Sequence, residues 1–153
     1  MVGSLLYALH VLGAVLWVGG MVFALAVLRP ALAVLEPPQR LVLHEAVLGR
    51  FFRLIWHVMP IMLLTGYVML FGWYGGFVGA GWHIHTMHFT ALLMTGVFVA
   101  IVAGPWKEFR AALGGGDRAA AATAMNRIRL LVTMNLALGL LTVAVAAWGR
   151  FGR

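Results

Sequence analysis

Four stretches of the chain are almost wholly apolar and carry no charged side chain: Ser4–Leu28, Leu54–Trp73, His85–Trp106 and Leu130–Trp148. About 20 apolar residues in a helix cross the hydrocarbon core of a bilayer. Lipid offers the backbone no hydrogen-bond partner, so each run must satisfy its own N–H and C=O groups as a helix. Strands of a membrane barrel would alternate apolar and polar residues over about 10 positions, and these runs do not. The pattern therefore predicts an all-α fold: an integral membrane bundle of four transmembrane helices, at 4–28, 54–73, 85–106 and 130–148, in a single domain. The first run reads as a retained helix. Ala31-Leu32-Ala33 resembles a cleavage site, but Met1-Val2-Gly3 has no basic residue and the run exceeds the roughly 7–15 residues of a signal-peptide core.

The connections carry their own patterns. From Gln39 to Phe51, apolar Leu41, Leu43, Val47 and Leu48 alternate with Arg40, His44, Glu45 and Arg50, which predicts a short amphipathic surface helix over 39–51. The glycines at 75, 76, 79 and 81 predict an irregular second loop. Gly114-Gly115-Gly116-Asp117 breaks the third loop, with Asp117 placed to cap a helix that continues from Arg118 into the fourth span.

Composition agrees: 63% of residues are hydrophobic and 10% charged, against about half and a quarter in a water-soluble domain. With no cysteine, disulfides, thiolate metal sites and cysteine nucleophiles are excluded. The net charge of +7 is distributed unevenly. Arg29, Arg40, Arg50, Arg53, Lys107, Arg110, Arg118, Arg127 and Arg129 lie in the first and third connections, and only Arg150 and Arg153 on the opposite side. Nine against two is a positive-inside signal. It predicts a multi-pass protein of a bacterial-type inner (plasma) membrane with both termini periplasmic. The same asymmetry accounts for the basic balance without nucleic acid. Trp73, Tyr74, Trp82 and Trp148 fall at the expected outer interface, and Trp56 and Trp106 at the inner one.

All four acids (Glu36, Glu45, Glu108, Asp117) lie in connections, so carboxylate pairs and carboxylate proton relays within the membrane are not expected. The intramembrane ionisable groups are histidines, which are functional candidates by default. Counting from Ser4 at 1.5 Å per residue puts His10 roughly 9 Å below the outer boundary. His83, His85 and His88 start the third span at a similar depth, whereas His57 enters from the other side. A metal or haem centre is expected where they converge. His10, Gly13, Ala14, Trp17, Gly20 and Met21 share one helical face. Small residues beside a histidine leave room for a flat macrocycle, and they suit close helix packing equally. Candidate cofactor-binding residues are thus His10, Gly13, Trp17, His85, Met87 and His88. Two chemistries fit. A b-type haem needs two axial ligands on facing helices, which His10 with His85, His88 or Met87 would supply. Copper would accept the mixed imidazole and thioether of His83-x-His85-x-Met87-His88, giving a metal set of His10, His83, His85 and His88. The remaining methionines, Met59-x2-Met62 among them, read as apolar filler. Asn135, near mid-membrane, is expected to hydrogen-bond to a neighbouring helix.

His10-x6-Trp17-Val18-Gly19-Gly20-Met21 followed by Leu28-Arg29-Pro30 resembles the first helix of CopD-type copper-resistance membrane proteins. Glu36-Pro37-Pro38-Gln39-Arg40, Thr65-Gly66-Tyr67 and Asn126-Arg127-Ile128-Arg129 with Asn135 resemble the small, single-module members. That resemblance implies copper uptake or resistance. The small members also resemble haem-dependent protoporphyrinogen oxidases of the HemJ type, which pair a histidine in helix 1 with a His-x-Lys segment in helix 3. His10 matches the first, and His85-x-Met87 lies on the second with methionine in place of lysine. The resulting expectation is a haem b protein of the outer leaflet, for electron transfer or small-molecule redox chemistry. If catalytic, it would be a haem-dependent membrane oxidoreductase. The alternatives are a copper-binding or copper-transporting protein and a HemJ-like oxidase. Expected partners are the lipid bilayer, a quinone or a redox partner protein, and a second copy in a homodimer.

Overall fold

The structure, a computed structural model, describes residues 2–151, with only the backbone of Arg150. Arg153 and the Arg150 side chain, the two outer charges of the topology reading, lie outside the described residues. Every regular element described is helical. Helix α1 runs regularly over Val2–Val22. It widens to i→i+5 turns at Phe23–Leu28 and closes through Arg29–Ala31 and a tight turn at Leu32–Val34. Pro30 follows the widened turns. It has no N–H, and its ring crowds the carbonyl four residues back, so regular bonding cannot pass through it.

Helix α2 is one rod of 37 residues, Pro37–Trp73. The expected surface helix at 39–51 and the span at 54–73 are not separate. No glycine–proline break lies between them, and Arg53 is accommodated by donating Nε to the carbonyl of Gly49 at 3.3 Å. Glu36 starts the rod: its backbone N–H donates to the Gln39 side-chain oxygen at 3.1 Å, and its carboxylate caps in return. At 1.5 Å per residue α2 is about 55 Å long, well beyond the ~30 Å hydrocarbon core.

Helix α3 covers Trp82–Ala103 and stops short of the expected Trp106. Gly104 breaks the helical path and Pro105, which cannot donate to Ile101, opens helix α4 at Pro105–Gly114. Gly116, at φ +77°, then turns the chain in the left-handed region that favours glycine. Asp117 accepts the N–H of Ala120 at 2.9 Å and starts helix α5, Arg118–Phe151, which runs unbroken through the fourth span. Four helical stretches are long and apolar enough to cross a membrane: Val2–Val34, Pro37–Trp73, Trp82–Gly114 and Arg118–Gly149.

Helix α1 packs on α2, and α5 packs on α3, α4 and, less extensively, α1, while α2 and α3 touch only lightly. The tight core lies towards the end of the bundle that carries the nine basic residues, here the basic end. Phe52 meets Trp106 edge-on at 5.2 Å and Phe98 at 6.1 Å, and Phe98 meets Trp17 at 6.0 Å. Trp106 is therefore a core residue and not part of an interfacial belt. Trp56, Trp73, Trp82 and Trp148 are at least half exposed, as belt residues would be. Glu45–Arg110 and Glu108–Arg127 ion pairs tie α2 to α4 and α4 to α5. The opposite end, which holds the first and last described residues and the Tyr74–Gly81 loop and is here the terminal end, is packed less tightly, and the site lies there.

Candidate functional site

His10 is held by α2. Its Nδ1 lies 3.0 Å from the carbonyl oxygen of Met62 and 3.1 Å from Thr65 Oγ1. A carbonyl can only accept, so Nδ1 carries the proton and donates. Thr65 accepts in turn because its own hydroxyl donates to the carbonyl of Ile61 at 2.8 Å. The neutral ring then presents Nε2 as a bare lone pair, with no protein partner among the described residues. Gly66 leaves space for this approach: a Cβ there would stand 3.2 Å from His10 Cε1, a tight contact that the ring would have to ease. Anchoring one ring nitrogen on a carbonyl so that the other is free is how metal-ligating histidines are oriented.

Beside His10 is a cavity of about 190 Å³ towards the terminal end of the bundle. Helix α1 contributes Tyr7, His10 and Trp17, and α2 contributes Met62, Tyr67 and Met69. Helix α3 adds Met87 and His88, and α5 adds Thr142. The α3 face is Ile84, Met87, His88 and Ala91, at the i, i+3, i+4, i+7 spacing of one helical stripe. The His88 ring is wedged edge-on between Tyr67 at 5.3 Å and Phe77 at 5.0 Å. Thr142 donates to Thr90 across α5 and α3 at 2.7 Å.

Of the residues singled out from sequence, His10, Trp17, Met87 and His88 are brought together. His85 is not among the lining residues: it is exposed and stacks on Phe77 of the loop, ring centroids 6.0 Å apart. His83 is turned onto α5, where a Cβ at Gly149 would collide with its ring. Gly13 leaves no room for a macrocycle, because the Met62 side chain occupies the space its missing Cβ provides. The expected rim cluster of histidines does not form. Among the described residues no three His, Cys, Asp or Glu side chains come close enough to hold a metal. Met62 and Met69, read from sequence as filler, line the cavity with His10 and His88. His57, exposed and bonded through Nδ1 to the Arg53 carbonyl at 2.7 Å, is apart from the site. Asn135 also departs from expectation. It is 1% exposed, and its Oδ1 has no partner among the described residues. The polar link between α5 and α3 is Thr142–Thr90 instead.

Residues 45–149 match the family model of copper resistance protein D, a stretch that takes in α3, α4, nearly all of α5 and the larger part of α2. Thr65-Gly66-Tyr67 and Asn126 to Asn135 fall inside the match, whereas α1, with His10 and Trp17, lies outside it. No curated protein and no solved structure matches the chain. With more than half its length on that family model and four membrane-crossing helices, the chain is a multi-pass membrane protein belonging to the copper resistance protein D family.

Proposed function

We propose that this protein binds monovalent copper in the cavity at the terminal end of its bundle, as cargo taken from the outer face of a bacterial-type inner membrane, with both termini periplasmic. The observation that carries the reading is the His10 ring: its proton is tied to the Met62 carbonyl, and its free nitrogen adjoins a cavity lined by a second imidazole and three thioethers. Thioether and imidazole ligands without carboxylate suit soft Cu(I), not a hard cation. His10 and His88 are the imidazole ligands in this reading, with sulfur from Met62, Met69 or Met87.

A b-type haem fits this cavity less well. About 190 Å³ is smaller than the roughly 300–1,000 Å³ that houses a drug-sized ligand, and a tetrapyrrole is larger still. Among the described residues no Lys or Arg side chain lines the cavity to meet propionates. Electron transfer with a quinone or redox partner protein, and HemJ-like oxidase chemistry, depend on that haem and have no separate support.

The test is a competition titration of purified protein against a Cu(I) chelator, with an absorption spectrum of the same sample. The expected result is one copper per chain and no Soret band. His10→Ala and His88→Ala should each weaken binding by at least about tenfold, the scale of perturbing a ligand or its support. His83→Ala and His85→Ala should leave it unchanged. A Soret band in proportion to protein, or equal losses at all four histidines, would overturn the proposal.

A further inference from the structure

The basic end of the bundle carries a second feature that copper binding does not use. Two adjoining hollows, of about 560 Å³ and 90 Å³, follow one another along α2 and α5 and share His44, Met125 and Asn126. The outer, larger one is bordered by Arg40 and Arg118. The inner one is bordered by Arg29 and Arg129 and continues over Leu28, Leu48 and Val132. Four arginines from three helical segments thus rim one groove whose floor is apolar.

No carboxylate lines either hollow, and the four acids are occupied elsewhere. Glu45 and Glu108 pair with Arg110 and Arg127, and Glu36 and Asp117 cap helices. Arg40 is pinned in place, its Nε and Nη2 donating to the carbonyls of Leu35 and Ala33 at 2.6 and 3.0 Å, which leaves Nη1 uncommitted. Arg129 donates to Asn126. Arg29 and Arg118 have no partner among the described residues. His44 repeats the His10 arrangement: its Nδ1 donates to the Arg40 carbonyl at 2.8 Å, so Nε2 is free.

We infer that this groove is a seat for one anionic phospholipid. The headgroup lies along the four arginines, its phosphate where the two hollows adjoin, and an acyl chain runs inward along Leu28, Leu48 and Val132. A basic pocket between helices that continues onto an apolar floor offers such a lipid a partner at both of its ends. Arginine suits the task because its planar fork grips phosphate through paired hydrogen bonds.

Native mass spectrometry of the full chain in detergent tests this, with phosphatidylglycerol and phosphatidylcholine added in equal amounts. One phosphatidylglycerol per chain should survive activation, in at least about fivefold preference to phosphatidylcholine. The double variant Arg29→Gln/Arg118→Gln removes two charges that hold no protein group, so folding should be unaffected, and the adduct should fall at least about fivefold. Arg50→Gln/Arg53→Gln removes the same charge outside the groove and should retain the lipid. Equal losses in the two double variants would overturn the proposal in favour of diffuse surface attraction. Equal retention of phosphatidylcholine would overturn it too, as would displacement of the lipid by inorganic phosphate at matching concentration, which would make this a phosphate site.

Discussion

Thr65→Val isolates the support of His10 from the histidine itself. Valine keeps the β-branched shape of a residue that is only 5% exposed, and deletes the oxygen 3.1 Å from His10 Nδ1. Met62 still accepts the proton at 3.0 Å, so one of two acceptors is lost and the tautomer is kept. A hydrogen bond contributes about 0.5–1.5 kcal/mol net. At 1.4 kcal/mol per factor of ten, that predicts a Cu(I) affinity weaker by roughly two- to twelvefold, towards the low end of what is seen when the outer partner of a metal-bound histidine is removed. The assay is the same chelator competition, run beside thermal unfolding in detergent. Thr65→Ser restores the oxygen and should restore affinity. If Thr65→Val binds copper like the parent while His10→Ala does not, Thr65 takes no part in orienting the ring and the Met62 carbonyl suffices. If Thr65→Ser is as weak as Thr65→Val, the effect is one of packing, and the orienting hydrogen bond is refuted.

Asn135→Leu should stabilise the protein, since an unpaired buried polar atom costs about 1–3 kcal/mol; a midpoint raised by a few degrees in thermal unfolding is expected, and a lowered one would mean that the oxygen has a partner. Fusions at the C-terminus should be active only with a periplasmic reporter, and fusions at Gly115 only with a cytoplasmic one; the same compartment for both would contradict the proposed orientation.

Helix positions were legible in the apolar runs because lipid leaves the backbone no other choice, and depth along those runs was enough to bring His10 and His88 to one level. Depth says nothing about azimuth. His83, His85 and His88 start the same helix, yet only His88 falls on the Ile84–Met87–His88–Ala91 stripe that faces the cavity. Met62 and Met69 were invisible for a different reason: in an apolar helix a methionine that will line a site reads the same as one that fills a gap. Their distinguishing feature is their face, shared with Thr65 and Gly66 at helical spacing and turned to His10 only once α1 has packed on α2. The continuity of α2 from Pro37 was obscured by its composition, which changes from amphipathic to apolar near Phe51 while the helical period runs on unbroken. The Gly104–Pro105 break was written in the sequence, but the apolar run across it hid the change of direction.

The match to the family model begins at Glu45, and the cavity draws residues from both sides of that boundary. Helices α2 and α3 supply the three methionines, His88 and the carbonyl that orients His10, and α5 adds Thr142, all within the matched residues. Helix α1 supplies His10 and Trp17 from outside them. Its seat on α2 is made at Gly13 and Gly20, where Met62 and Phe51 fill the places of absent side chains, so the fit depends on what α1 lacks as well as on what it presents. If the cavity holds copper as proposed, a different residue at position 10 would alter what it accepts while leaving the methionine wall and the aromatic core in place, and α1 would be the element through which one scaffold is re-tuned to another cargo.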